Sequence, residues 1–190
     1  MVKEIQKIFH LLLSVAFSST GFIAAVTITV LAAREVSSNP YLIGIPNAFG
    51  VGGAVIGTQM FDYMSRRYSK NRALSNTFLI GALGGLIQIY SLLIDSFVIL
   101  LLGAFILGVG QSAALQTRYV ASYVASESFK ATALSLAVWF SVFGSIFGPR
   151  LVGEYSAIFD KWFGSELIVG YFIATIGMFL AGMSLSLIHI

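Results

Sequence analysis

The sequence has no cysteine among its 190 residues, and only 10% of its positions are charged. The lack of cysteine excludes thiolate metal sites, and the two histidines, His10 and His189, form no metal-ligand pattern. We therefore expect neither a metal nor a cofactor. The formal net charge is only +3, which is too small and too scattered to indicate a nucleic-acid partner.

Long apolar runs dominate the chain: apolar residues occupy 57% of it, and the mean hydropathy is +0.90. A soluble domain usually carries about 25% charged residues, so we expect this chain to lie in a lipid bilayer. A bilayer core of about 30 Å needs about 20 mostly apolar residues in a helix, whereas barrel strands would alternate. We predict an all-α polytopic membrane protein, a single domain over 1–190 with six transmembrane helices at 8–32, 41–61, 73–94, 97–115, 131–152 and 167–188.

The cationic residues predict how these spans are oriented. With the N-terminus inside, eight of the eleven Lys and Arg residues are cytoplasmic and three lie toward the outer side, which is the positive-inside bias. An even number of spans returns the C-terminus to the cytoplasm. We expect the plasma membrane as the location, with the longer cytoplasmic loops at about 62–72 and 116–130. The first apolar run is about 25 residues long, well beyond a signal-peptide core of about 7–15, so we expect it to be retained.

Glycines recur at four-residue spacing in three of the spans. Small residues at this spacing let membrane helices approach closely. Ordinary helix packing explains the pattern, and surfaces that slide past one another would explain it as well. The pairs are Gly53 with Gly57, Gly81 with Gly85, and Gly144 with Gly148.

The segment after the second span reads Gly57-Thr-Gln-Met-Phe-Asp62-Tyr-Met-Ser-Arg66-Arg67. It resembles the loop between the second and third helices of the major facilitator superfamily of transporters. Three departures are visible: the leading glycine is one place early, Tyr63 replaces an arginine, and Ser65 replaces a glycine. The resemblance implies a conformational latch in which Asp62, Arg66 and Arg67 hold one state, with the acid near the positive N-terminus of a neighbouring helix. The alternative is a plain positive-inside loop.

The fifth span reads Gly144-Ser-Ile-Phe-Gly148-Pro149-Arg-Leu-Val-Gly153. It is similar to the Gly-Pro signature of the same family's fifth helix, although Val152 replaces one glycine. Pro149 removes a backbone hydrogen bond and kinks a helix, which suits gating.

The fourth span adds to the resemblance, because Gly108 and Gly110 are similar to the glycine-rich fourth helix of many members. The segment after it contains Arg118 and ends in Lys130, at the basic position that precedes the family's fifth helix. Ala104 stands where many members carry an arginine, so the resemblance does not extend to arginine-based proton coupling.

The order of these motifs resembles the N-terminal six-helix half of the family's fold, built as two three-helix inverted repeats. The resemblance implies a secondary active transporter that moves a small solute by alternating access. It also implies a second six-helix half, from the same gene, a split gene or a homodimer. Of these, we favour the chain being a fragment of a longer product.

Substrate is expected near the midplane of the membrane. The polar and aromatic candidates in the spans are Ser18, Thr20, Asn47, Gln111 and Trp139. Hydroxyls often bond their own helix instead, and Trp139 suits a lipid-facing position. No acid or lysine lies at the centre of a span, so if transport is coupled to protons, the titrating group is expected in the other half.

Other functions compete with transport. A non-transporting six-helix scaffold or remnant would need no site at all. A rhomboid-like protease would use Ser112 and His189, but Ala113 replaces the glycine that follows the serine, and both residues lie toward the cytoplasm. A channel is disfavoured because Pro46-Asn47-Ala48 is not a duplicated Asn-Pro-Ala motif. We therefore expect a transporter and no enzyme.

Overall fold

The structure, a computed structural model, describes residues 2–37 and 39–186, with side chains from residue 8 onward. It contains six α-helices in chain order and no strand within those ranges. They are α1 (Val2–Val36), α2 (Ile45–Arg67), α3 (Lys70–Leu93), α4 (Phe97–Val124), α5 (Lys130–Phe163) and α6 (Ile168–Ser186), with short 3-10 turns at Pro40–Leu42 and Glu127–Phe129. Each α-helix is long and apolar enough to cross a membrane, so the six-helix prediction is confirmed.

Several helices run beyond the predicted spans. Residues 62–67 continue α2 and residues 116–124 continue α4, which leaves connections of only 68–69 and 125–129. The fifth helix continues past 152 to Phe163, where Gly164 adopts a left-handed φ of 73° and donates its N–H to the Asp160 carbonyl. Hydropathy marks where a helix leaves the apolar layer, whereas the helix itself continues until its backbone conformation changes, which for α5 is at the left-handed Gly164. The sixth helix is described to Ser186, so the predicted end at 188 lies outside the described residues.

The six helices pack in space as two related triplets, one of α1, α5 and α6 and the other of α2, α3 and α4. The first helix packs against α5 and α6, and the fourth packs against α2 and α3. The pairs α1–α4 and α3–α6 also touch. The same set of contacts results when α1, α2 and α3 are exchanged for α4, α5 and α6, respectively. Because successive crossings of a membrane alternate in direction, α1–α3 and α4–α6 cross it in opposite senses. The packing is therefore that of two inverted three-helix repeats.

Glycines make the equivalent contacts in the two triplets. A Cβ on Gly81 of α3 would lie 2.6 Å from the Cα of Gly110 on α4. In the other triplet, a Cβ on Gly177 of α6 would lie 3.1 Å from the Cα of Gly21 on α1. Because helix association in lipid depends on close van der Waals contact, these glycines position the central helices α1 and α4.

The second and fifth helices are the least buried. In their most apolar stretches, 17% of α2 and 28% of α5 is buried, against 50–56% for the other four helices. Each lies against a central helix, α2 on α4 and α5 on α1. The outward faces of α2 and α5 are therefore free to contact lipid or another protein.

Candidate functional site: an amide-lined cavity

A cavity of about 400 Å³ opens between α1, α2 and α4. Each of these helices contributes one face to it. Ala104, Leu107 and Gln111 follow helical spacing along α4, and Phe22, Val26 and Thr29 do so along α1. The other lining residues are Pro46, Asn47, Gly50, Val51, Ala54 and Gln88.

The polar groups of this cavity are all uncharged. Among the described lining residues they are Thr29, Asn47, Gln88 and Gln111, and the rest are apolar or glycine. Thr29 donates its hydroxyl to the Ala25 carbonyl at 2.8 Å and accepts from Tyr171 Oη at 3.5 Å. The remaining three side chains are amides, each of which both donates and accepts hydrogen bonds.

Two of the amide oxygens are buried without a partner. Gln88 is only 1% exposed, and its Oε1 has no hydrogen bond within the described chain. The Oε1 of Gln111 also has no hydrogen bond among the described residues, although the Gln111 side chain as a whole is only half-buried. An unpartnered buried acceptor costs about 1–3 kcal/mol, so each of these two atoms calls for an explanation.

Gln88 comes from α3 and reaches the cavity past α4. A Cβ on Gly103 of α4 would lie 2.5 Å from the Gln88 Cγ and 2.9 Å from its backbone nitrogen. Gly103 therefore leaves the space that the glutamine occupies. Any larger residue at position 103 would push the side chain or α3 itself away.

The predicted lining residues divide into two groups. Asn47, in the first turn of α2, and Gln111 meet in this cavity. Ser18 is fully buried and donates to the Ser14 carbonyl at 2.7 Å, while Thr20 donates to the Ala16 carbonyl at 2.9 Å. Trp139 is 61% exposed on α5. These last three lie outside the cavity, and their role in substrate binding stays a prediction.

Sequence reasoning missed Gln88 and Thr29. Gln88 was detectable as a strongly polar residue inside an apolar span, since a buried glutamine needs hydrogen-bond partners. Its direction was not detectable, because that depends on Gly103 in another helix.

The latch residues lie on the exposed end of α2. Arg66 donates to the Asp62 carboxylate at 2.8 Å, and their side chains are 76% and 59% exposed, respectively. The Arg67 guanidinium lies 5.3 Å from the ring centroid of Tyr63. An exposed pair one turn apart contributes at most about 1 kcal/mol, so Asp62 can exchange this partner at little cost.

The basic residues of the fourth-to-fifth connection have different surroundings. Lys130, the first residue of α5, pairs with Glu127 at 2.6 Å on the surface. Arg118 lies within α4, and its Nε is buried without a hydrogen bond among the described residues. At the same end of α4, Lys70 Nζ lies 3.5 Å from the Tyr123 ring centroid, which connects the start of α3 to α4.

The glycines of the fifth-helix signature also differ in their surroundings. A Cβ on Gly144 would lie 2.5 Å from the Ala16 carbonyl oxygen. A Cβ on Gly148 would lie 2.6 Å from the Thr20 carbonyl oxygen. Both glycines therefore allow α5 to pack closely against α1. A Cβ on Gly153 would meet nothing within 4 Å. Pro149 is exposed inside the helix.

The serine of the protease alternative is not arranged for catalysis. Ser112 is fully buried and donates to the Val109 carbonyl at 2.7 Å. Gly57 of α2 packs against it, since a Cβ there would lie 2.5 Å from the hydroxyl oxygen. His189 lies outside the described residues.

Comparison with known proteins finds transporters. The chain is 31% identical over 163 residues to the uncharacterized MFS-type transporter YddS of Bacillus subtilis, covering 86% of this chain and 37% of that protein. It is 31% identical over 181 residues to the uncharacterized MFS-type transporter YdeG of the same organism, covering 95% and 42%. The riboflavin transporter RfnT of Brucella anthropi is 29% identical over 122 residues, covering 64% and 31%.

The chain spans about two fifths of the length of the first two relatives. No family model and no solved structure matches it.

Proposed function

Because the chain belongs to the major facilitator superfamily of transporters, we propose that it moves a small solute by alternating access, as the N-terminal half of a twelve-helix secondary transporter. The observation that carries this proposal is the cavity between α1, α2 and α4, whose described polar lining consists of Thr29 and the amides of Asn47, Gln88 and Gln111. Amide side chains both donate and accept hydrogen bonds, so this lining suits a polar, uncharged solute. An integral membrane protein whose core is packed through glycines, with a polar cavity among its central helices, is suited to bind and release such a solute.

A second six-helix half covers the outward faces of α2 and α5. These are the two least buried helices, and each flanks one central helix of its triplet. We favour a second half encoded by the same gene, because the chain matches only about two fifths of the length of the first two relatives. A split gene or a second copy of this chain would supply an equivalent surface.

The membrane orientation follows from charge. The ends of α2 and α3 that meet at residues 68–69 carry Arg66, Arg67, Lys70 and Arg72. Positive residues of this density favour the cytoplasmic side, so we place both ends of this six-helix unit in the cytoplasm. The plasma membrane stays the expected location. The described residues lining the cavity include no ionisable group. If transport is coupled to an ion, the group that binds the ion therefore lies in the second half.

Asp62 acts as the latch of the transport cycle. Its carboxylate holds Arg66 in an exposed pair in the isolated half, and it exchanges that partner for the second half when the cytoplasmic side closes. A charge-assisted hydrogen bond that forms in only one state biases the cycle toward that state.

Riboflavin is the first solute to test, because the relative RfnT carries that name. We expect proteoliposomes with the full-length protein to accumulate radiolabelled riboflavin, and Asp62→Asn to slow uptake about tenfold, which corresponds to the loss of one charge-assisted hydrogen bond. Initial uptake rates, normalised to inserted protein, are the measurement. Glu127→Gln is the matched control, since Glu127 is also an exposed acid in a surface pair.

Uptake no faster than in protein-free liposomes would remove riboflavin as the solute. Normal uptake by Asp62→Asn would remove the latch proposal. If Glu127→Gln slowed uptake equally, the slowing would be an effect of surface charge in general and not of Asp62 in particular.

A further inference from the structure

A groove of about 700 Å³ runs along the surface of the fold where α3 meets α6. Its walls are mostly apolar, and Leu83, Leu86 and Phe179 in these walls are exposed side chains. The groove lies mainly on α3 and α6 and not on α2 and α5, the two helices whose outward faces a second half would cover. We therefore expect it to face lipid.

Close packing of α3 against α6 forms the floor of this groove. A Cβ on Gly85 of α3 would meet the Thr175 hydroxyl of α6. Nearer the start of α3, Ser75 donates its hydroxyl to the Gly182 carbonyl at 2.8 Å. The two helices therefore shape the groove without a ligand, as is usual for binding sites.

The length of the groove matches one leaflet of a bilayer. Asn76 and Leu86, both in its lining, are ten residues apart on α3, which is a rise of about 15 Å. Half of an apolar core about 30 Å thick is also about 15 Å. One acyl chain therefore fits along the groove, with Asn76 at the end nearer the start of α3.

Asn76 is a polar side chain on this otherwise apolar surface. It is exposed, and its amide forms no hydrogen bond among the described residues. The other polar residue of the described lining, Thr175, donates its hydroxyl to the Tyr171 carbonyl at 2.9 Å. An amide that faces lipid needs a hydrogen-bond partner, and a phospholipid headgroup supplies one.

Arg72 provides a cation at the same end of the groove. It stands one turn before Asn76 on the same face of α3, is exposed, and forms no ion pair within the described part of the chain. Neither α3 nor α6 contains an acid. Lys70, by contrast, lies over the Tyr123 ring. A cation and an amide at the end of an apolar groove complement a phosphate that carries an acyl chain.

We propose that this groove binds an anionic phospholipid, with one acyl chain between α3 and α6 and the phosphate held by Arg72 and Asn76. Each of the two side chains donates a hydrogen bond to a phosphate oxygen. A zwitterionic lipid binds more weakly, because its own cation is repelled by Arg72 and by the other cations where α2 and α3 meet. This site is separate from the cavity among α1, α2 and α4, and it does not depend on the transport proposal.

The test compares phosphatidylglycerol with phosphatidylcholine, both with oleoyl chains. Each lipid is titrated into the purified, delipidated full-length protein in detergent, and native mass spectrometry counts the bound lipids. We expect phosphatidylglycerol to bind at least about fivefold more tightly than phosphatidylcholine, as expected for the attraction of one cation to an anionic lipid.

In Arg72→Gln, the preference for phosphatidylglycerol is expected to fall about fivefold, to near one. Lys70→Gln is the matched control. It removes the same charge two residues away, from a side chain that lies over the Tyr123 ring, and positions two apart do not share a helix face. It is expected to keep the preference within about twofold, because an exposed charge farther from the phosphate is screened.

A second pair of variants tests the acyl chain. Leu83→Trp fills the groove and is expected to lower the number of tightly bound phosphatidylglycerol molecules by one. Leu102→Trp is its control, because Leu102 is exposed to a similar extent, 52% against 55%, and lies on α4 outside the groove. Thermal melting checks that all four variants fold.

Equal affinities for the two lipids would overturn the proposal. An equal loss of preference in Lys70→Gln would overturn it as well, by showing attraction to the basic cluster as a whole, and an unchanged preference in Arg72→Gln would remove the phosphate contact. An unchanged lipid count in Leu83→Trp, or an equal loss in Leu102→Trp, would place the acyl chain elsewhere.

Discussion

Replacing Gly53 by alanine is expected to lower the free energy of unfolding by about 3 kcal/mol or more, near the upper end of overpacking effects. A Cβ on Gly53 would overlap the carbonyl oxygen of Phe105 and lie 2.8 Å from its carbonyl carbon. Both are backbone atoms of α4, so the clash is relieved only by moving one helix away from the other. Gly108 on α4 makes the reciprocal approach to the backbone of Gly50, so the displacement would open the contact along its length.

The measurement is the unfolding of the full-length protein in mixed micelles, followed by circular dichroism as denaturing detergent is added. Gly52→Ala is the matched control, since the nearest atom to a Cβ at that position is 4.0 Å away. It is expected to be neutral or to stabilise the helix by up to about 1 kcal/mol. Equal effects of the two substitutions would contradict the proposed α2–α4 contact.

Replacing Gly148 by alanine is expected to loosen α5 from α1, whereas the same change at Gly153 is expected to be harmless. A Cβ at 148 would lie 2.6 Å from the Thr20 carbonyl oxygen and 3.0 Å from the Ala24 backbone nitrogen, while one at 153 would meet nothing within 4 Å. We expect Gly148→Ala to cost about 1–3 kcal/mol. Both glycines belong to the fifth-helix Gly-Pro signature. A different effect of the two substitutions would therefore show that the loss of stability comes from helix packing and not from belonging to the signature.

Hydrogen exchange of α5 in detergent is the most informative readout for this pair, together with thermal melting. Faster exchange along α5 in Gly148→Ala alone would agree with the structure. Faster exchange in Gly153→Ala, with Gly148→Ala unchanged, would contradict the α1–α5 contact.

The sequence was sufficient to predict the number of helices, because each crossing requires its own apolar run. It was not sufficient for the helix ends. The fifth helix passes the predicted limit at 152 and stops at Gly164, where a left-handed residue ends it. Glycine spacing predicted that α2 and α5 have close contacts, but the partner helices, α4 and α1, depend on the tertiary packing of the two triplets.

The cavity was predictable only in part. Asn47 and Gln111 were candidates because polar side chains are costly inside an apolar span, and both line the cavity. Ser18 was a candidate for the same reason, but a serine can satisfy its hydroxyl on its own helix, and Ser18 does so. Gln88 was missed because its position depends on the absence of a side chain at Gly103 in another helix.

The proposed mechanism requires the cavity to lie on a solute pathway that opens to one side of the membrane at a time. Gln111→Cys tests this without knowledge of the solute, because the 190-residue sequence carries no other cysteine. The variant would be made in the full-length protein, with any cysteines of the remaining chain removed. Right-side-out and inside-out vesicles would then be treated with a membrane-impermeant thiol reagent.

We predict that the thiol introduced at position 111 is labelled from either face, and that Asp62→Asn speeds labelling from one face while slowing it from the other. Labelling from neither face would make the cavity a packing void with no transport role. Labelling from both faces at rates that Asp62→Asn leaves unchanged would remove the latch but not alternating access. Labelling from one face alone, with or without Asp62→Asn, would contradict alternating access.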